Sequence, residues 1–186
     1  MKASAWLFSL LAALAIWPAI ASGQQPAEPV RIERDGLKLE MAPLGADPVR
    51  AFFLARGFPA GDAQHVVETA CLFRSAIGSA HTAEGAPEVV VTLTQWRVTP
   101  ADGKPTAPKV REDWEPVWKS RGTPEDAATA FYWALFPTEQ VFYPNDYNWG
   151  FLTFGLPPGT AFDLTLAWRS GGTPHNTTIK GLQCAR

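Results

Sequence analysis

YPNDYNWGFLTFGLPPGTAFDLTLAW, residues 143–168, is the stretch whose reading decides the fold. It opens with a polar turn, Pro144-Asn145-Asp146, and continues into an aromatic strand from Trp149 to Phe154. A second turn, Leu156-Pro157-Pro158-Gly159, leads into strict alternation. Phe162, Leu164, Leu166 and Trp168 share one parity, while Asp163, Thr165, Ala167 and Arg169 share the other. Successive strand side chains face opposite sides of a sheet, so this run has one buried and one wet face. The two runs read as a hairpin onto which the rest of an antiparallel sandwich is built.

Outward from that hairpin the chain supplies more strands. Ser170-Gly171-Gly172 is a turn, and Thr177–Cys184 is the last strand. Upstream, Gly36–Ala42 alternates Leu37, Leu39 and Met41 with Lys38 and Glu40. Val49–Arg56 reads as a strand that is apolar on both faces, and Val66–Ile77 as a third, with Arg74 opposite the parity of Cys71, Phe73 and Ile77. Asp62 is placed as the N-cap of a helical turn before it. Glu88–Thr99 is rich in β-branched residues, with a parity shift between Leu93 and Trp96 that reads as a bulge or an outward Trp96. Asp113 is read as the cap of a short helix carrying Trp114, Val117 and Trp118 on one face, with Pro116 in its first turn and Gly122 at its end. That tryptophan pair is expected to cover an open end or edge of the sandwich. Thr123-Pro124-Glu125-Asp126 starts a second helix, which is expected to give way to a strand at Ala130–Phe136. The expected fold class is mainly β: an immunoglobulin-like antiparallel β-sandwich with one or two short helices.

A Pro-x-Asp turn, an aromatic strand around Trp149-Gly150-Phe151, a Pro-Pro-Gly turn and an alternating strand together resemble the closing hairpin of immunoglobulin-like domains in bacterial envelope proteins. The resemblance covers about twenty-six residues, and the chain-end position of Cys184 departs from the antibody-domain arrangement. It implies a fold class and carries no site residues.

The beginning of the chain reads as an address. Lys2 supplies a positive start, Trp6–Trp17 is apolar except for Ser9, and Ala19-Ile20-Ala21 fits a cleavage site, so residues 1–21 are read as a secretory signal peptide. Residues 22–34 are read as a flexible leader and 35–186 as a single β-sandwich domain. With Lys2 removed, the 16 basic residues become 15 against 18 acidic ones, a net of −3. No basic stripe exists to neutralise phosphates, so no nucleic-acid partner is expected. After signal cleavage no membrane span is expected either. The two cysteines, Cys71 and Cys184, are expected to form a disulfide, as suits an exported chain.

The candidate chemistry is sparse. Gly78-Ser79-Ala80-His81 holds a Ser and a His but no G-x-S-x-G elbow. Glu112, Asp113, Glu125 and Asp126 sit at helix starts, where the helix dipole explains them, rather than as the paired carboxylates of a glycosidase. His65, His81 and His175 are candidate copper or zinc ligands if loops bring them together. Tyr143, Asp146, Tyr147, Asn148 and Trp149 place aromatics beside fixed polar groups, the kind of arrangement a ligand site uses. The competing reading makes Trp149 a roof over the core and Asn145-Asp146 plain turn chemistry.

The resulting expectation is a periplasmic or secreted, non-catalytic binding or accessory protein of a bacterial envelope system, without cofactor. Its partner would be another envelope protein or a small ligand, met through Tyr143, Asp146, Tyr147, Asn148 and Trp149. Metal handling through His65, His81 and His175 is one alternative, and carbohydrate binding on exposed Trp and Tyr is a second.

Overall fold

The computed structural model describes residues 28–186. The signal peptide and the first part of the expected leader lie outside them. Among the described residues the chain is mainly β, with two antiparallel sheets and four short helices.

The first sheet holds β1 (Val30–Arg34), β2 (Leu37–Pro43), β3 (Leu72–Ser79) and β7 (Tyr147–Thr153), in the order β1-β2-β3-β7. The second holds β4 (Val89–Thr92), β5 (Arg97–Pro100), β6 (Glu139–Phe142), β8 (Ala161–Ser170) and β9 (Thr173–Gln183). Here β8 is central, paired with β9 along one edge and with β4 and β5 along the other. The sheets share one core. Leu37, Leu39, Met41, Phe73, Ile77 and Leu152 from the first meet Val89, Val91, Val98, Leu164, Leu166 and Trp168 from the second. The alternation expected from Phe162 to Arg169 is present in β8.

The hairpin expected over residues 143–168 does not form. β7 pairs with β3 and β8 with β9, so the Pro157-Pro158 turn carries the chain from one sheet to the other. The immunoglobulin resemblance rested on that hairpin. The hairpins present are β1–β2 and β8–β9, closed by Asp35-Gly36 and Gly171-Gly172. All four of these residues have positive φ, as a two-residue turn matched to strand twist requires. The last five residues of the expected leader form β1 instead. Val30 and Ile32 pack against the core, and Arg31 reaches Glu40 at 2.9 Å.

Helix replaces strand in three places. Val49–Arg56 lies largely in α1 (Ala46–Leu54), where Val49 and Phe53, four apart, make the buried face. Pro48 falls in the first turn, where its missing N–H costs nothing. The first part of Val66–Ile77 belongs to α2 (Ala60–Thr69), and the strand begins only after Cys71, whose φ of 44° breaks the chain direction. Asp62 is not an N-cap. It is the third residue of α2, and its carboxylate accepts hydrogen bonds from Arg121 Nε at 2.7 Å and Thr123 Oγ1 at 2.6 Å. Ala130–Phe136 is not a strand either. α4 (Glu125–Ala134) takes its first part because Ala127 and Phe131, four apart, bury one face, and the helix ends at Leu135, whose backbone is extended.

α3 (Arg111–Arg121) places Pro116 at its sixth residue, beyond the first turn. Asp113 sits at the third position, and its carboxylate accepts the Val110 N–H at 3.0 Å. Trp114 and Trp118 stack with ring centroids 5.2 Å apart. They do not cap an open end of the sandwich. Together with Phe53, Phe58 and Phe131 they form a second core. This helical layer lies on part of the outer face of the first sheet, against Leu72 and Phe151, and the Trp114 indole donates to Thr153 Oγ1.

The parity shift at Trp96 is a one-turn 3-10 helix, Leu93–Gln95, between β4 and β5. Trp96 is fully buried, not outward, and its Nε1 donates to the Ala167 carbonyl at 2.9 Å. The indole thus satisfies a β8 carbonyl at the gap between β4 and β5.

Candidate binding face

The helices cover only one end of the outer face of the first sheet. The other end is built from three registered rows. Glu33, Lys38, Gly78 and Tyr147 make one row, Arg31, Glu40, Ala76 and Trp149 the next, and Ala42, Arg74 and Phe151 the third. The small residues of β3, Gly78 and Ala76, form a floor. Aromatics of β7 stand on one side and charged residues of β2 on the other. A groove of about 250 Å³ lies here, and its lining includes Glu40, Arg74, Ala76, Trp149 and Phe151.

Tyr147 is 73% exposed and Trp149 72% exposed, so Trp149 does not roof the core. The alternation that points Tyr147 and Trp149 outward sends Gly150 and Leu152 inward, where both are buried. Tyr143 is also exposed, but it precedes the turn that links β6 to β7. In that turn Asn145 takes a φ of 66° after Pro144, and the Asp146 N–H donates to the Tyr143 carbonyl at 2.9 Å. This is the type II pattern, with Pro first and Asn at the left-handed position. The turn is anchored to the loop after β3 through the Asn145 N–H on the His81 carbonyl and the Asn145 amide on the Thr82 carbonyl.

The polar members of the expected site are hydrogen-bonded within the fold. The Asp146 carboxylate accepts the Tyr143 N–H. Asn148 donates to Gln140 Oε1 at 2.9 Å, tying β7 to β6, and its Oδ1 accepts the Trp149 N–H. Tyr147 and Trp149 keep exposed rings. The polar groups facing them come from β2 and β3, which sequence reasoning did not assign to a site. Arg74 was recognisable as the one charged residue on an otherwise apolar or small strand.

The three histidines do not converge. His65, on α2, lies edge-on to Trp114 and Trp118 at 6.3 and 6.1 Å. Burial, with Arg121 and Lys109 nearby, holds its imidazole below the usual pKa. His81 and His175 both reach the β1–β2 turn region at the other end of the molecule. His175 stacks on Trp168 and approaches Asp35 at 3.8 Å. Among the described residues no three His, Cys, Asp or Glu side chains are placed to hold one metal ion.

Ser79 does not meet the His81 ring; its hydroxyl accepts the His81 backbone N–H. The ring instead pairs with Ser170, Nε2 to Oγ 3.2 Å. Among the described residues no carboxylate hydrogen-bonds to this imidazole, so the third member of a nucleophilic triad is missing. The pair ties the β8–β9 turn to the loop after β3. Three of the four acids at helix starts, Glu112, Asp113 and Asp126, are likewise engaged. Glu112 takes the Thr138 hydroxyl and Arg111, and these outweigh its burial to hold its pKa below the usual range. Asp126 accepts the Ala127 N–H.

Cys71 and Cys184 stand at disulfide distance, Cα–Cα 5.1 Å, across 113 residues of sequence. The pair joins the α2–β3 junction to the end of β9, and so fastens one sheet to the other. No protein-family model matches the chain, and no curated protein or solved structure shows significant similarity to it.

Proposed function

We propose that the protein is exported to the periplasm or beyond and acts by binding, as a non-catalytic accessory protein of a bacterial envelope system. Its binding surface is the uncovered outer face of the first sheet, centred on Trp149. The observation that carries this reading is Trp149, an indole 72% exposed on a strand registered residue for residue against β3. A large exposed aromatic beside a groove is a surface that a ligand or partner explains better than the fold does. The signal-like start and the Cys71–Cys184 pair support export.

The test separates binding from folding. Fractionated envelope polysaccharide and envelope protein are passed over immobilised wild type and Trp149→Ala. The proposal expects one fraction to bind the wild type and to lose most of its affinity for the variant, at unchanged melting temperature. Equal binding by both proteins contradicts it.

A further inference from the structure

On the outer face Glu40 is held by Arg31 at 2.9 Å, and Glu33 and Lys38 lie opposite each other in the β1–β2 register. Arg74 has no charged residue directly opposite it. Its cross-strand neighbours are Ala42 and Phe151, and Glu40, diagonal to it, is already taken by Arg31. Among the described residues the Arg74 guanidinium makes no ion pair and no side-chain hydrogen bond, although it lines the same groove as Trp149. The two positions are diagonal neighbours, Trp149 opposite Ala76 and Arg74 two residues before it. Such positions lie roughly 7–8 Å apart, about the span of one ring bearing an acid group.

We infer that the groove takes an acidic saccharide, with a sugar ring stacked on the Trp149 indole and its carboxylate held by the fork of Arg74. This deepens the reading of the outer face as a binding surface and rests on it. The chemistry follows from three features. A pyranose presents a flat C–H face to an aromatic ring. Its hydroxyls both donate and accept, and Glu40, with one carboxylate oxygen outside its bond to Arg31, lines the groove as an acceptor. A guanidinium is the side chain best shaped to take a carboxylate through two parallel N–H bonds. Tyr147, two residues along the same wall, offers a second stacking surface for the next sugar. The helical end is closed by Phe151 packed on Phe52 at 4.7 Å, so the acidic ring sits at the closed end and the chain leaves past Tyr147. At about 250 Å³, just under the roughly 300 Å³ at which small-ligand pockets begin, the groove has room for one ring.

The experiment is an array of uronate, sialyl and muramyl oligosaccharides, each beside its carboxyl-reduced counterpart. It is probed with wild type, Arg74→Gln and Trp149→Ala, all checked for an unchanged melting temperature. The expected result is binding of at least one acid, at least about tenfold weaker for its reduced form. Arg74→Gln removes that preference while keeping the weaker binding, and Trp149→Ala abolishes both. Reduced sugars bound as well as acids, or an acid preference surviving Arg74→Gln, overturns the acidic-saccharide assignment and leaves the face as a binding face. Trp149-dependent binding of an envelope protein with no sugar bound overturns the saccharide class alone. Absence of any Trp149-dependent binding overturns both the assignment and the reading beneath it.

Discussion

Gly78 lies beneath Tyr147 so closely that a Cβ built on it would stand 2.7 Å from the Tyr147 Cβ and 2.5 Å from the Asp146 carbonyl oxygen. The contact is with backbone and a branching atom, neither of which can swing aside. The absence of a side chain at Gly78 is therefore what allows β7 to sit in register with its aromatics facing out. Gly78→Ala is expected to destabilise the fold by about 1–3 kcal/mol through overpacking. Thermal unfolding measures this, and an unchanged melting temperature would show that β7 relaxes freely.

The six tryptophans after the first twenty-one residues should separate into two groups. Trp149→Ala is expected to shift stability by less than about 0.5 kcal/mol, as exposed substitutions do. Trp114→Ala, which removes a fully buried ring and its hydrogen bond to Thr153, is expected to cost roughly 3–5 kcal/mol. Denaturant midpoints at constant slope give the comparison directly.

Acid should loosen the helical layer. For Asp62, burial raises the pKa, but the Thr123 hydroxyl and Arg121 outweigh it, so the folded carboxyl titrates below its ordinary value of 3.8. A depressed carboxyl contributes stability that is present above the unfolded pKa and lost as pH falls through the folded one. The His65 imidazole is also lowered, from an ordinary value of 6.5. Below that value the unfolded chain binds the proton first, so stability falls as pH drops from about 6.5 toward the folded pKa. Melting temperature measured against pH should show both declines. His65→Gln should remove the upper one and Asp62→Asn the lower.

Reduction should weaken the join between the sheets. The Cys71→Ser, Cys184→Ser double variant is expected to lose about 2–5 kcal/mol relative to the oxidised protein. Equilibrium unfolding of the two proteins side by side provides the check.

Much of the β framework can be read from residue alternation, and the helical layer cannot. Phe162 to Trp168 alternates because β8 has one face on the core, and Leu37 to Met41 does so for the same reason. Val49–Phe53 misleads because a run apolar on both parities fits a two-sided strand and a helix equally. Only the packing partners decide it, Phe58 just after the helix and Phe131 far along the chain. Asp35-Gly36 was a readable hairpin signal between alternating residues, and it sets β1 where a leader was expected. The hairpin at 143–168 fails for a different reason: two adjacent strand patterns joined by Pro-Pro-Gly do not reveal whether the chain returns to the same sheet or crosses to the facing one. The site was half legible. Tyr147 and Trp149 stand out as aromatics among polar residues, but Arg74 and Glu40 join them only through the β2–β3–β7 register, which one sequence does not display.

The most direct test follows the indole N–H signals of the isotopically labelled protein during titration with the oligosaccharide or envelope fraction that binds. The Trp149 signal is identified by its loss in Trp149→Phe. The account predicts that this signal shifts progressively to saturation while those of the buried Trp96 and Trp114 stay in place. A saturable interaction that leaves the Trp149 signal unmoved would contradict it.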